Sequence, residues 1–585
     1  MVLSFILLGA ALQVIGFSVA GPQLQPPAST TSAKDKCSVT GTVTSMQTGQ
    51  PLKKATLHLM LVSPSQNPRE SFVESGYTGM SRADGGFTFE GVEPGEYLLT
   101  GERPGYMTTQ YGSKNGLTGG SLLHLAPGQQ LTDLRMPLVA QAAITGRVLD
   151  EDGDPASGMQ VMVYGRVRQR AKSHYFPMSE ATTDDTGSYR VANLSPGTYY
   201  VSAQSARNGM DMREMPAQPG KPDIRTVTTF YPSSLDRTGA AAVELKAGQE
   251  TPGIEIRLRA VQTFHVRGKV AGDFGGSENP NRPVMLTIIP AGEASAFMAF
   301  FGGMAGVSKD HTFDMAGVAP GSYVITNANS DGKKGLIRQP VEVGSGDVND
   351  VTVTELPTFA IHGSMEMQGT LAGSAKEKAL EGVQLILTPE EPAMMMRSPQ
   401  ATPKADGSFT LESVIPGKFR VLVMNEPEGV YLKSIRLGGQ EMLGKTLDLT
   451  QAGGDLHVTL RAGAAEVSGT VTAKNDAAAG GTAPANGVSV LLIPEDLTRD
   501  GGSFHTSGTN QRGAFMEKGV APGTYYAVAF EADESLSFDD PAVLKQLVGK
   551  GVKVEVKEND KQQVQVTLLP AEELRAALTA AGVEN

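Results

Sequence analysis

The chain is 585 residues long with a net charge of −12, 69 glycines, 35 prolines, one cysteine and no tryptophan. An acidic balance with no long basic block excludes a nucleic-acid surface, which needs clustered Lys and Arg. A single cysteine excludes an internal disulfide, so the chain must hold itself together by core packing.

The first segment differs in kind from the rest. Residues 1–20 are apolar, uncharged and end Ser18-Val19-Ala20, with small residues where a signal peptidase cuts. This reads as a secretory signal, with an uncleaved membrane anchor as the rival. Residues 21–36, containing Pro26-Pro27-Ala28-Ser29-Thr30-Thr31, read as a flexible leader. Cys37 is expected in a partly buried strand, because Asp35-Lys36 before it do not suit a lipid-attachment signal.

From Cys37 onward one phrase returns five times: Pro94-Gly95-Glu96-Tyr97, Pro196-Gly197-Thr198-Tyr199, Pro320-Gly321-Ser322-Tyr323, Pro416-Gly417-Lys418-Phe419 and Pro522-Gly523-Thr524-Tyr525. The spacings of 102, 124, 96 and 106 residues are each one small domain. About fifty residues ahead of each phrase lies an alternating apolar segment around a glycine: Val39–Val43, Ile144–Val148, Val266–Val270, Ile361–Met365 and Val467–Val471. Between the two come a turn and an aromatic strand, as in Asp84-Gly85-Gly86-Phe87, Asp185-Thr186-Gly187-Ser188-Tyr189 and Asp406-Gly407-Ser408-Phe409. The third copy, Asp310-His311-Thr312-Phe313, lacks the glycine, and the fifth carries Asn510 for Asp. In the repeated phrase, proline presets one dihedral and glycine is expected at a turn position needing positive φ. Closing hairpins are expected around Gly248, around 344–346 and around Asn559. Near the C-terminus two short helices follow, one capped by Asp540 with Pro541 in its first turn, the other over 571–578.

Many short strands with regular turn signals predict an all-β tandem array of about five Greek-key sandwiches with short C-terminal helices. The expected division is a signal at 1–20, a leader at 21–36, sandwiches at 37–139, 140–261, 262–357, 358–463 and 464–569, and a helical tail at 570–585. The skeleton is fullest in the second unit: Ile144-Thr145-Gly146-Arg147-Val148-Leu149-Asp150, then Asp152-Gly153, Thr183 to Arg190, and Leu194-Ser195-Pro196-Gly197-Thr198-Tyr199. These units resemble the carboxypeptidase regulatory-like domain, a transthyretin-like or prealbumin-like sandwich of secreted bacterial proteins. In metallocarboxypeptidases the corresponding sandwich stands beside the catalytic domain, so the resemblance implies fold and transfers no catalytic residue. It also implies nearness to carbohydrate-binding-like sandwiches.

No catalytic, cofactor-binding or metal-ligating residue is nominated. The eight histidines, His58, His124, His174, His265, His311, His362, His457 and His505, lie at least 46 residues apart, which offers no local zinc spacing. The acidic loop Asp150-Glu151-Asp152-Gly153-Asp154 reads as a solvated hairpin turn or a calcium loop. Met210, Met212 and Met215, with Met394, Met395 and Met396, read as packing residues or as soft copper ligands. The apolar run 297–304 reads as a buried strand or an exposed docking hairpin. The expectation is a non-enzymatic, exported scaffold or interaction protein of the cell envelope. It needs no cofactor, crosses no membrane beyond its first segment and has a protein or polysaccharide partner. The alternative is a carbohydrate-binding array, with Tyr111 and Tyr231, at comparable places after the Pro-Gly-x-Tyr strand, as the rings to watch. Function is expected where units differ, around Met210 and in the apolar run of the third unit.

Overall fold

The computed structural model describes residues 35–62, 76–113, 120–169, 172–205, 222–271, 285–291, 304–327, 336–370, 380, 382–390, 398–450, 454–475, 481–497, 505–531 and 540–582. Its strands form sandwiches around five apolar cores.

In the first sandwich the opening strand Cys37–Ser45 lies between two partners. It runs antiparallel to Gly86–Val92 and parallel to Gln130–Leu138. The facing sheet orders Gly76–Met80, Thr56–Leu61 and Gly95–Glu102, with Thr109–Gln110 and Leu122–Leu125 beyond. Alternation does what a half-buried strand requires: Val39 and Val43 turn inward to meet Leu57, Leu59, Tyr97 and Leu99, all fully buried. The same triplet recurs in every unit. Ala142–Leu149, Arg259–Ala271, Phe359–Gln368 and Ala465–Asn475 are each antiparallel to the strand after the Asp/Asn turn. Each is also parallel to the closing strand.

The glycine inside each opening strand is a packing requirement. A Cβ on Gly41, Gly146, Gly268, Gly363 or Gly469 would lie 1.8–2.4 Å from a carbonyl oxygen of the parallel partner, on Leu134, Ile254, Val351, Leu456 and Val564 respectively. A side of the same space is closed by an aromatic ring: Phe87, Tyr189, Phe313, Phe409 or Phe515.

The closing segments correct the hairpin expectation. Val243–Leu245 pairs with Gly197–Ser205, whereas Glu250–Thr251 and Ile256–Arg257 pair with the opening strand of the other sheet. Val552–Val556 and Lys561–Thr567 likewise belong to opposite sheets. In the third unit only Leu336 and Ile337 meet Leu356 and Glu355, while 341–343 pair with 321–323. Both strands alternate and both need the same core, so the turn between them crosses from one sheet to the other.

The repeated Pro-Gly phrase takes the expected positive φ in three units. Gly95, Gly197 and Gly321 have φ of 156–158° and open their strands. A second positive-φ residue, present in all five units, lies three places before the proline. Gly91, Asn193, Gly317, Ser413 and Gly519 have φ of 57–75° and sit in a bulge opposite the opening strand in all five units. The tyrosine two places after the glycine then locks the corner: the hydroxyls of Tyr97, Tyr199 and Tyr525 each donate 2.9 Å to the carbonyl four residues upstream.

Both C-terminal helices form where expected. Asp540 accepts from the Ala542 N–H at 2.9 Å and caps Pro541–Val548. Ala571–Ala580 packs with it over the outer face of the fifth sandwich, burying Leu491, Ile493, Val528 and Phe530. This explains the unbroken apolar run Val490–Ile493 within Ser489–Pro494, which is covered on both faces.

Candidate functional site

The repeated positions are occupied by folding tasks, so candidate sites are departures from the repeat. The acidic loop is a turn that caps itself: the Asp150 carboxylate accepts the N–H groups of Asp152 and Asp154, and Gly153 supplies a φ of 91°. Among the described residues no three metal-ligating side chains gather. Residues 206–221, 292–303 and 391–397, which carry both methionine groups and most of the apolar run, lie outside the described residues. Cys37 is buried in the first core, its thiol donating 3.1 Å to the Ala126 carbonyl.

Tyr111 and Tyr231 do occupy equivalent places, each following a two-residue strand on the Pro-Gly-x-Tyr strand. Tyr111 is buried in its core and Tyr231 packs partly buried on the next. The histidines are spread over strand faces and satisfied locally. His58 meets Thr78, His124 meets Glu96, His265 meets Asp314, His362 meets Thr410 and His457 meets Ser364. His311 takes the left-handed turn position (φ 64°) that Gly85, Gly187, Gly407 and Gly513 take elsewhere. The side chain of His174 lies outside the described residues.

Two places stand out. The first is in the fifth sandwich. Phe89, Val191, Met315 and Leu411 fill the core at the place where Glu517 stands. Burial pushes the Glu517 carboxyl up to about 7, with Ser507 pulling the other way. His505 Nδ1 is 4.0 Å from that carboxylate, and burial pushes the imidazole down to about 4. Its ring stands edge-on to Tyr525. At neutral pH this is an uncharged imidazole beside a half-ionised carboxyl. Such a pair has the parts of an acid–base couple, but it is set into the sandwich interior among core residues. The signal was available in the sequence once the five strands are aligned on their aromatic residue.

The second is the joint of the fourth and fifth sandwiches, a cleft of about 260 Å³ lined by Tyr431, Lys433, Arg461, Pro522 and Glu558. Arg461 pairs with Glu558 at 2.7 Å, the Tyr431 hydroxyl donates to the same carboxylate at 3.4 Å, and Lys518 pairs with Glu428 at 2.6 Å. The volume is below the roughly 300–1,000 Å³ of ordinary ligand pockets, and its charges hold the two units to each other. Other joints are made by backbone: Asp223–Val227 of the second unit runs antiparallel to the start of Arg259–Ala271.

The first two sandwiches match a known family profile. A profile of the carboxypeptidase regulatory-like domain matches residues 38–136 and 143–229. No curated protein sequence matches the chain. Among solved structures, the minor pilin GBS52 of Streptococcus agalactiae is similar at 13% identity and a TM-score of 0.22, over 38% of this chain and 96% of that one. The major pilin SpaD of Corynebacterium diphtheriae matches at 8% and 0.16, over 56% and 99%. The TIE protein of Bacillus anthracis matches at 11% and 0.15, over 72% and 73%. Likenesses this low carry no functional argument.

Proposed function

We propose that this chain, with its carboxypeptidase regulatory-like domains at 38–136 and 143–229, is a non-enzymatic, exported scaffold or interaction protein of the cell envelope. The proposed division keeps residues 1–20 as the export signal, 21–36 as leader, sandwiches at 37–139, 140–261, 262–357, 358–463 and 464–569, and a tail at 570–585. The observation that supports this reading is how the repeat spends its residues. The strand glycine, the aromatic ring, the turn acid, the left-handed bulge residue and the corner tyrosine each serve packing or turn geometry. A scaffold copied five times and varied at its edges suits recognition of proteins better than a single chemical step.

The carbohydrate-binding alternative needs an exposed ring face for a sugar to stack on. Tyr111 is buried at 7% exposure, and Tyr231 packs against the second core, which disfavours both as platforms. The test presents the full chain in parallel to a polysaccharide panel and to cross-linked envelope fractions. Saturable capture of one protein with no polysaccharide retained is the expected result. Saturable polysaccharide binding, weakened by Tyr231→Ala, would replace this reading with the alternative.

A further inference from the structure

We infer that the fifth sandwich clasps the first, closing the array into a ring, and that Gln511 gives the clasp its specificity. Among the described residues, Leu122–Leu125 is an edge strand paired with Gly95–Glu102 alone. An edge leaves backbone donors and acceptors open to another chain. The Gln511 side chain takes them as a strand would: its oxygen accepts from the His124 N–H at 3.2 Å, and its amide nitrogen donates to the His124 carbonyl at 2.9 Å. A primary amide carries the donor and the acceptor that this needs on one planar group.

The turn that presents Gln511 is held rigid. Asn510 accepts the N–H groups of Arg512 and Ala514, and Gly513 has a φ of 70°. The same turn place holds Ala83, Asp185, Lys309 and Ala405 in the other units, so the reading group belongs to the fifth alone. Three more contacts join the same two units. A Cβ on Gly487 would lie 1.7 Å from the Gly112 carbonyl oxygen, and one on Gly508 would lie 2.9 Å from that of Gly120. The Asn486 side chain also acts on the Tyr111 phenol, pulling it down against the rise that burial causes. Two loops of the first sandwich thus meet two loops of the fifth, through backbone and polar groups.

A contact this small and polar is far below what two free proteins need to associate stably. It suffices within one chain, where neighbouring joints already hold the ends at high effective concentration. The partner is therefore the chain's own fifth unit. Units of about a hundred residues have a radius of gyration of about 13 Å and a diameter of about 34 Å. Five such spheres in line have an overall radius of gyration of about 50 Å, and five in a ring about 32 Å, from the same unit size.

Small-angle scattering on the full chain, with mass from light scattering, tests this. The parent protein should be monomeric and near the ring value at all concentrations. Gly487→Val, which puts a side chain into the Gly112 carbonyl, should raise the radius of gyration by about half. Gln511→Glu, which keeps the size but loses the donor, should do the same without touching backbone geometry, and an unchanged strand spectrum by circular dichroism shows both variants folded. A parent value near that of the line overturns the clasp, as does a compact value that neither variant changes. Compaction that appears only with a doubled mass assigns the contact to a second copy and overturns closure within one chain.

Discussion

Replacing Glu517 with leucine, the residue that the fourth unit carries at Leu411, should stabilise the fifth sandwich and reverse its response to pH. Burial raises the carboxyl from 4.5 to about 7, which at about 1.4 kcal/mol per pH unit is about 3 kcal/mol against the ionised form. The folded state therefore holds a proton between pH 4.5 and 7 that the unfolded chain releases. Stability falls as pH rises through that window and is lowest above it. His505 acts with the opposite sign. Its pKa drops from 6.5 to about 4, so the unfolded chain binds the extra proton and stability rises with pH between 4 and 6.5. Its side chain keeps 21% exposure, which discounts the effect to about 2 kcal/mol. The two slopes oppose each other between pH 4.5 and 6.5 and leave a net fall just above. Glu517→Leu should remove the falling limb and gain about 3 kcal/mol at pH 8, whereas His505→Phe should expose that limb from pH 4.5. Hydrogen exchange of the full chain, read on peptides from Ser489–Pro494 and Gly523–Phe530 and corrected for intrinsic rates, reports these values. A Glu517→Leu chain that is less protected at pH 8, or that follows the parent's pH profile, refutes the assignment of Glu517 as a buried carboxyl.

Four further outcomes follow from the structure. Tyr525→Phe deletes the hydroxyl that donates to the Ala521 carbonyl and should cost about 1 kcal/mol, measured as exchange protection of its strand; Phe419 shows the fold accepts the ring without the hydroxyl. His311→Gly should stabilise the third unit by about 1 kcal/mol by relieving its left-handed backbone. Gly407→Ala, at the same turn position with Met365 O 2.2 Å from the added carbon, should destabilise the fourth by about 2 kcal/mol. Asp540→Ala should fray Pro541–Val548 at a cost of about 1 kcal/mol, visible as faster exchange at residues 542–544.

What was legible in the sequence is what is local. Apolar alternation around Gly41 or Gly469, the Asp and Asn turns, and the cap at Asp540 are each written within a few residues, and each forms as the pattern implies. The reason for the strand glycines is not local: the carbonyls that exclude a Cβ lie on Leu134 and Val564, about ninety residues on. The closing segments misled for a related reason. Val552–Val556 and Lys561–Thr567 alternate like a hairpin, but alternation states which face is buried and leaves open which sheet supplies the partner. The left-handed bulge was present as a Gly, Asn or Ser three residues before each Pro-Gly, and lengthens the repeated phrase at its front. Glu517 was equally visible, as one acid aligned with Phe89, Val191, Met315 and Leu411. The Gln511 contact with His124 spans 387 residues, and no periodicity points to it.

One strand triplet, closed around a glycine, is built five times and carries the fold in each unit. The direct test is hydrogen exchange on five single variants of the full chain: Gly41→Ala, Gly146→Ala, Gly268→Ala, Gly363→Ala and Gly469→Ala. Each added methyl meets a backbone carbonyl that cannot move without breaking a ladder, so each should cost roughly 2–3 kcal/mol or more of protection. The loss should be concentrated in the sandwich that carries the substitution. Full protection in any one variant, or losses that ignore the unit boundaries, would contradict the claim.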